Sequence, residues 1–158
     1  MRKRQAAADE IMRSDIPFAK MIYELTKPGV LDRSEIRAWL ARTVDRALDR
    51  MRSPDARSRA VALALKSEAS GEAQDWDGLH LNARRACPPF PTCATHAAVA
   101  ASLAAGFAKV NDHSLASSYA WHSLKAAAAS AASATDKAAE YSSQIADLRD
   151  IISKEGLE

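Results

Sequence analysis

The chain is poor in the features that would make it a β-protein, a disulfide scaffold or a membrane span. Five glycines and six prolines in 158 residues leave long stretches free of the residues that interrupt helices. Two cysteines are too few for a disulfide-dense framework. With no secretory leader they point to a reducing cytoplasm. The start Met1-Arg2-Lys3-Arg4-Gln5 is basic, as a leader would be, but no apolar stretch follows it. No run approaches about 18 consecutive apolar residues, so no membrane span is expected. Charge of one sign is missing too. The 22 basic and 20 acidic side chains give +2, too balanced for a generic polyanion binder. Serine is plentiful, yet no Gly-x-Ser-x-Gly elbow and no Gly-rich phosphate loop occurs, which removes two common routes to catalysis.

What remains is helix. Apolar residues at 47% and charged residues at 27% are ordinary for a globular protein and argue against disorder. The length suits one domain spanning 1–158, able to bury about two-thirds of its unfolded surface. Its organising stretch is Ala-rich: residues 92–110 and 113–134, hinged at Asn111-Asp112. Alanine has the best helix propensity, but an Ala tract is marginal in water unless packing holds it. Ala98, Ala101, Ala105 and Ala108 step along one side at helical spacing, as do Ala116, Ala120, Ala127 and Ala131. Such small faces let helix axes approach closely. Val99, Leu103, Phe107, Val110, Leu115, Tyr119 and Leu124 are the expected larger anchors. So short a link makes antiparallel neighbours, an αα-hairpin at the centre of the fold.

Around the hairpin the expected elements follow in order. Residues 1–14 read as a weakly amphipathic arm that docks on the body or on a second subunit. Asp15 and Pro17 start a helix over residues 18–26, with Phe18, Met21, Ile22 and Leu25 on one face. Residues 32–52 open with a capping-box pair, Asp32 and Glu35, and carry a stripe from Ile36 through Trp39, Leu40, Thr43, Val44, Ala47 and Leu48 to Met51. The opposite face, Arg42 to Arg50, reads as solvated and salt-bridged. Residues 55–70 form a helix with Ala60, Val61, Leu63, Ala64 and Leu65 inward, ended by Gly71. Asp75, Asp77 and Gly78 favour a turn before a helix over residues 79–86. Cys87-Pro88-Pro89-Phe90-Pro91 is extended. The last helix, residues 136–155, repeats Ala138, Tyr141, Ile145, Leu148 and Ile152 as a narrow seam, suited to self-association or to docking inside the chain. The expectation is an all-α bundle of six or seven helices.

Three constellations could carry function. Cys87, Cys93 and His96 form the first, since Cys93 and His96 at i, i+3 face one point at a helix start, with His80 as a fourth ligand. The spacing matches no common zinc module. A Cys87–Cys93 disulfide and two ordinary half-buried cysteines are the alternatives. Helical rise separates His113, His122 and His96 by roughly 13–14 Å and about 7–8 Å along the hairpin, so they do not converge on one ion. No cofactor is expected. The second constellation is Arg37, Arg42, Arg46, Arg50, Arg52, Arg57 and Arg59 with Arg84-Arg85. Interleaved Asp45, Asp49 and Asp55 count against nucleic-acid binding, which needs a stripe largely free of carboxylates. The third is Trp76 between Asp75 and Asp77. An exposed Trp with acidic neighbours suits contact with a basic protein partner, and the alternative is a Trp folded back over the core.

Residues 36–51, then Ser53-Pro54-Asp55-Ala56-Arg57 with a following apolar helix to Gly71-Glu72, then an Ala-rich hairpin with His113 at its turn and Tyr119-Ala120 and Lys125 beyond, appear in that order. Over roughly residues 36–130 this succession resembles the immunity proteins of bacterial polymorphic toxin systems, one Ala-rich all-helical family in particular. The Cys87 to Cys93 insertion and the N-terminal arm depart from that pattern. The resemblance implies a cytoplasmic, non-enzymatic protein that neutralises a cognate toxin by stoichiometric binding.

Overall fold

The computed structural model describes residues 2–67, 74–89, 92 and 95–155. Among these residues there are eight α-helices and no strand. They are α1 (Arg2–Arg13), α2 (Phe18–Leu25), α3 (Arg33–Asp49), α4 (Ala56–Ser67), α5 (Trp76–Ala86), α6 (His96–Lys109), α7 (His113–Ala129) and α8 (Ala134–Glu155). The all-helical bundle is as expected. The expected count falls short because the N-terminal arm is itself a helix. Ala8 of α1 is fully buried, and Ile11 and Met12 pack against the core. Arg4 fixes the arm by donating to the Val30 carbonyl and pairing with Asp32 and Glu35.

The Ala-rich hairpin α6–α7 lies at the centre. All eight alanines of its two small faces are buried, and Phe107 and Leu124 are buried in the same core. Asp112 caps α7, accepting from the Leu115 N–H at 2.9 Å. The expected anchor Leu115 instead points outward, 54% exposed, because it falls on the solvent face of α7 with Ser118, His122 and Lys125 at helical spacing. The α3 stripe is buried throughout, except that Met51 is only half-buried past the helix end. The Asp32–Glu35 capping box forms as expected.

Three boundaries and faces differ from expectation. Pro17, not Asp15, is the N-cap of α2; its carbonyl accepts from the Met21 N–H and no side chain caps the helix. On α4 the inward face includes Ala62, while Leu63 is 62% exposed. The expected stops at Gly71 and Gly156 lie outside the described residues. On α8 the deepest positions are Glu140, Gln144 and Leu148, with Ala138 exposed and Tyr141 and Ile145 half-buried. The polar character of Glu140 and Gln144 hides that i, i+4 stripe from a hydrophobic pattern. The seam docks within the chain, against α3 and α7.

Candidate functional site

The Asp75-Trp76-Asp77 segment starts α5 three residues earlier than the expected helix. Asp75 is the N-cap and accepts from the Gly78 N–H at 3.1 Å. Gly78 permits this, since a Cβ there would run into the Asp75 carboxylate. The Gly and the Asp that suggested a turn are therefore the parts of a cap. Trp76 is the first helical residue. Its indole is half-buried against the core, with the Arg37 guanidinium 5.9 Å from the ring centroid, a cation–π arrangement. Asp75 is exposed, and the Asp77 side chain is 81% exposed, 3.3 Å from the Lys109 ammonium.

That ammonium places the segment in the bundle. Lys109 ends α6, and the N-termini of three helices gather around this point. Arg33, first residue of α3, donates to the carbonyls of Phe107 at 2.8 Å and Val110 at 2.7 Å while lying 4.9 Å over the Phe107 ring. Asp77 brings in α5, and α7 follows from the same turn. The end of the bundle therefore carries Asp32, Asp75, Asp77 and Asp112 together. Three of the four are N-caps, which the partial positive charge of helix N-termini favours. Of the nearby cations, Arg33 is turned onto backbone carbonyls and Arg4 bridges Asp32 and Glu35. Asp75 and Asp112 have no ion pair among the described residues.

Aromatic and apolar surface adjoins this acidic end. The His113 ring packs on Tyr23 with centroids 4.6 Å apart, and its Nε2–H donates to the Tyr23 carbonyl and the Thr26 hydroxyl at 3.2 Å. Exposed Tyr23 and Leu115 lie beside it. No sequence signal singles out Tyr23. Asp112 was legible only as a turn residue.

The other candidates fall elsewhere. Cys93 lies outside the described residues. Cys87, the C-cap of α5, is a free thiol that donates to the Ala83 carbonyl at 3.4 Å. Burial pushes its pKa up, against a hydrogen bond with Ser102 that lowers it, so the neutral thiol is favoured. His96 opens α6 and donates through Nδ1–H to the Thr92 carbonyl at 2.7 Å. His80 is buried edge-on to the Tyr119 ring, its pKa lowered by burial and by Lys109 and Arg84. No group of three or more metal-ligating side chains comes together among the described residues. His96 and His122 do line one groove between α6 and α7.

The arginine face of α3 is salt-bridged and partly exposed, as expected, but its partners lie on other helices, so that it forms an inter-helix belt. Arg46 holds Glu140 through two bonds of 2.7 and 2.8 Å, and Asp147 at 2.7 Å; Arg50 holds Glu140 at 2.6 Å, and Arg42 holds Asp150 at 2.8 Å. On the α4 side Asp45 pairs with Lys66, and Asp49 with Arg59 at 2.9 Å. No helix among the described residues is long and apolar enough to cross a membrane. No family model, curated protein or solved structure matches the chain.

Proposed function

We propose that this chain is a non-enzymatic binding protein that neutralises a protein partner, a toxin in the reading its sequence resemblance suggests, by docking its acidic end on a basic surface. The observation that carries the proposal is Trp76: an indole held by Arg37 on one face, half open to solvent, with exposed carboxylates on either side. Rigid aromatic anchors of this kind dominate binding energy where they occur at interfaces. The neighbouring carboxylates would speed encounter and select a cationic partner. Arg42, Arg46, Arg50 and Arg59 are engaged with carboxylates, which favours this reading over nucleic-acid binding.

The test uses the purified chain as bait in its source cells, beside a Trp76→Ala variant and an Asp75→Asn, Asp77→Asn variant. Asn keeps the N-cap while removing charge. The expected result is one stoichiometric partner whose expression alone arrests growth and whose effect this chain relieves. Trp76→Ala should weaken that complex by about 2 kcal/mol, roughly thirtyfold. The double Asn variant should slow association and flatten its salt dependence. Capture that is indifferent to both variants would remove the acidic end from the interface.

A further inference from the structure

On the flank of the bundle a cavity of about 350 Å³ opens between α3 and α4. It sits at the small end of the ligand-pocket range, roughly 300–1,000 Å³. Its floor is apolar: Ala41 and Leu65 are buried and Ala38 is half-buried. The two alanines make the depression, because a longer side chain at either position would fill it. Its mouth carries Arg37, Arg42 and Lys66.

Arg42 and Lys66 are held in place without being used up. Arg42 meets Asp150 and Asp147 through one terminal nitrogen, Nη1, at 2.8 and 3.9 Å, which leaves its Nε–H and Nη2 donors without an acceptor among the described residues. Among the described residues Lys66 pairs with Asp45, which leaves two of its three ammonium donors to offer. The carboxylates behind them are shared: Asp45 with Arg59, Asp150 with Lys154, and Asp147 with Arg46. Neutralisation at Arg42 and Lys66 is therefore partial, and their remaining donors stand over an apolar floor.

We infer that this cavity binds a small organic anion, a monocarboxylate with an apolar body, its tail on Ala38, Ala41 and Leu65 and its head between Arg42 and Lys66. Planar, forked guanidinium donors match a carboxylate. The site is independent of the partner-binding reading. It does share Arg37 with that reading, since the guanidinium at the mouth also lies over Trp76.

The experiment titrates the full chain with octanoate, 1-octanol and inorganic phosphate, followed by backbone amide shifts in NMR. Octanoate should shift the amides of Ala38, Ala41 and Leu65, and bind about tenfold or more tighter than either control. Arg42→Gln should weaken octanoate several-fold. Ala41→Leu and Ala38→Leu, each checked for folding by circular dichroism, should abolish binding by filling the floor. Equal binding of octanol would reduce the cavity to an apolar patch, and equal binding of phosphate would reduce it to a cationic one. No shift at those amides, or binding that survives a filled floor in a folded variant, would overturn the assignment.

Discussion

The two helix pairs that meet at the centre of this molecule are joined in opposite ways. Between α6 and α7 the contact is almost purely steric. Alanines line both faces, Gly106 receives the Tyr119 ring, and among the described residues a single buried hydrogen bond, from the Ser123 hydroxyl to the Ala100 carbonyl at 2.8 Å, crosses the contact. Between α3 and α8 the contact is directional. The Trp39 indole N–H donates to the Gln144 carbonyl at 2.8 Å, and Arg42, Arg46 and Arg50 reach across to three carboxylates. Gln144 links the two regions by donating to the Leu124 carbonyl of α7 at 3.0 Å. Close-packed methyl groups hold two helices near each other but tolerate sliding. A bidentate guanidinium fixes one register. The hairpin thus sets the distance between helices, and the belt sets where α8 sits along them.

The largest effect should come from breaking the belt. Glu140→Ala removes the carboxylate that Arg46 and Arg50 share and leaves two guanidinium groups facing a buried gap. Losing one partner of such a pair should cost about 3 kcal/mol, read from the midpoint of urea unfolding. A loss below about 1 kcal/mol would mean that α8 is held by Leu148, Ile151 and Ile152 and not by charge.

A smaller effect should follow from crowding the hairpin. In Gly106→Ala the added methyl meets the Tyr119 ring, which is itself set edge-on against buried His80 with centroids 5.7 Å apart. Overpacking of about 1–3 kcal/mol should exceed the roughly 1 kcal/mol that Ala gains in helix propensity. A second change, Tyr119→Leu, makes room for the methyl, so the pair should be less destabilising than the sum of the two. Strict additivity would show that the ring yields freely.

Acid should separate the two regions with the smallest signal. His80 has a pKa lowered from 6.5, first by burial and then by Lys109 and Arg84. The unfolded chain therefore takes up its proton first, and stability falls as pH drops below about 6.5. Glu140 is pushed up by burial, but the hydrogen bonds from Arg46 and Arg50 outweigh this and hold it below 4.5. Its contribution is complete above 4.5 and is lost as pH falls through the depressed value. A melting-temperature series against pH should show two declines. The one near neutrality should vanish in His80→Phe, and the acidic one should shrink in Glu140→Ala. A single decline, unchanged by His80→Phe, would count against the buried neutral histidine.

The same contrast explains what could be read from the sequence. The hairpin was legible because sterics leave a periodic trace: alanines at i, i+3 and i+7 have few other uses. The stripe of α3 and its Asp32–Glu35 box were legible for the same reason. The belt was not, because Arg46 and Asp49 at i, i+3 offer a local pairing that a linear reading prefers to Glu140, 94 residues away. Glu140 and Gln144 also occupy the buried stripe of α8 that a hydrophobic pattern assigns to Tyr141 and Ile145. At the acidic end, Asp75, Trp76 and Asp77 were identified, although as a turn. Asp32 and Asp112 joined them only through α6, whose C-terminus collects three helix starts.

The alanine core has a thermal consequence. The heat capacity gained on unfolding grows with the apolar area exposed, about 12–15 cal/mol/K per residue in ordinary domains. A buried methyl group exposes far less area than a leucine or a phenylalanine. Where α6 meets α7, melting therefore releases little structured water for each residue ordered. Such a core bends the free-energy curve less, so stability changes more gently on either side of its optimum temperature and cold weakens it less.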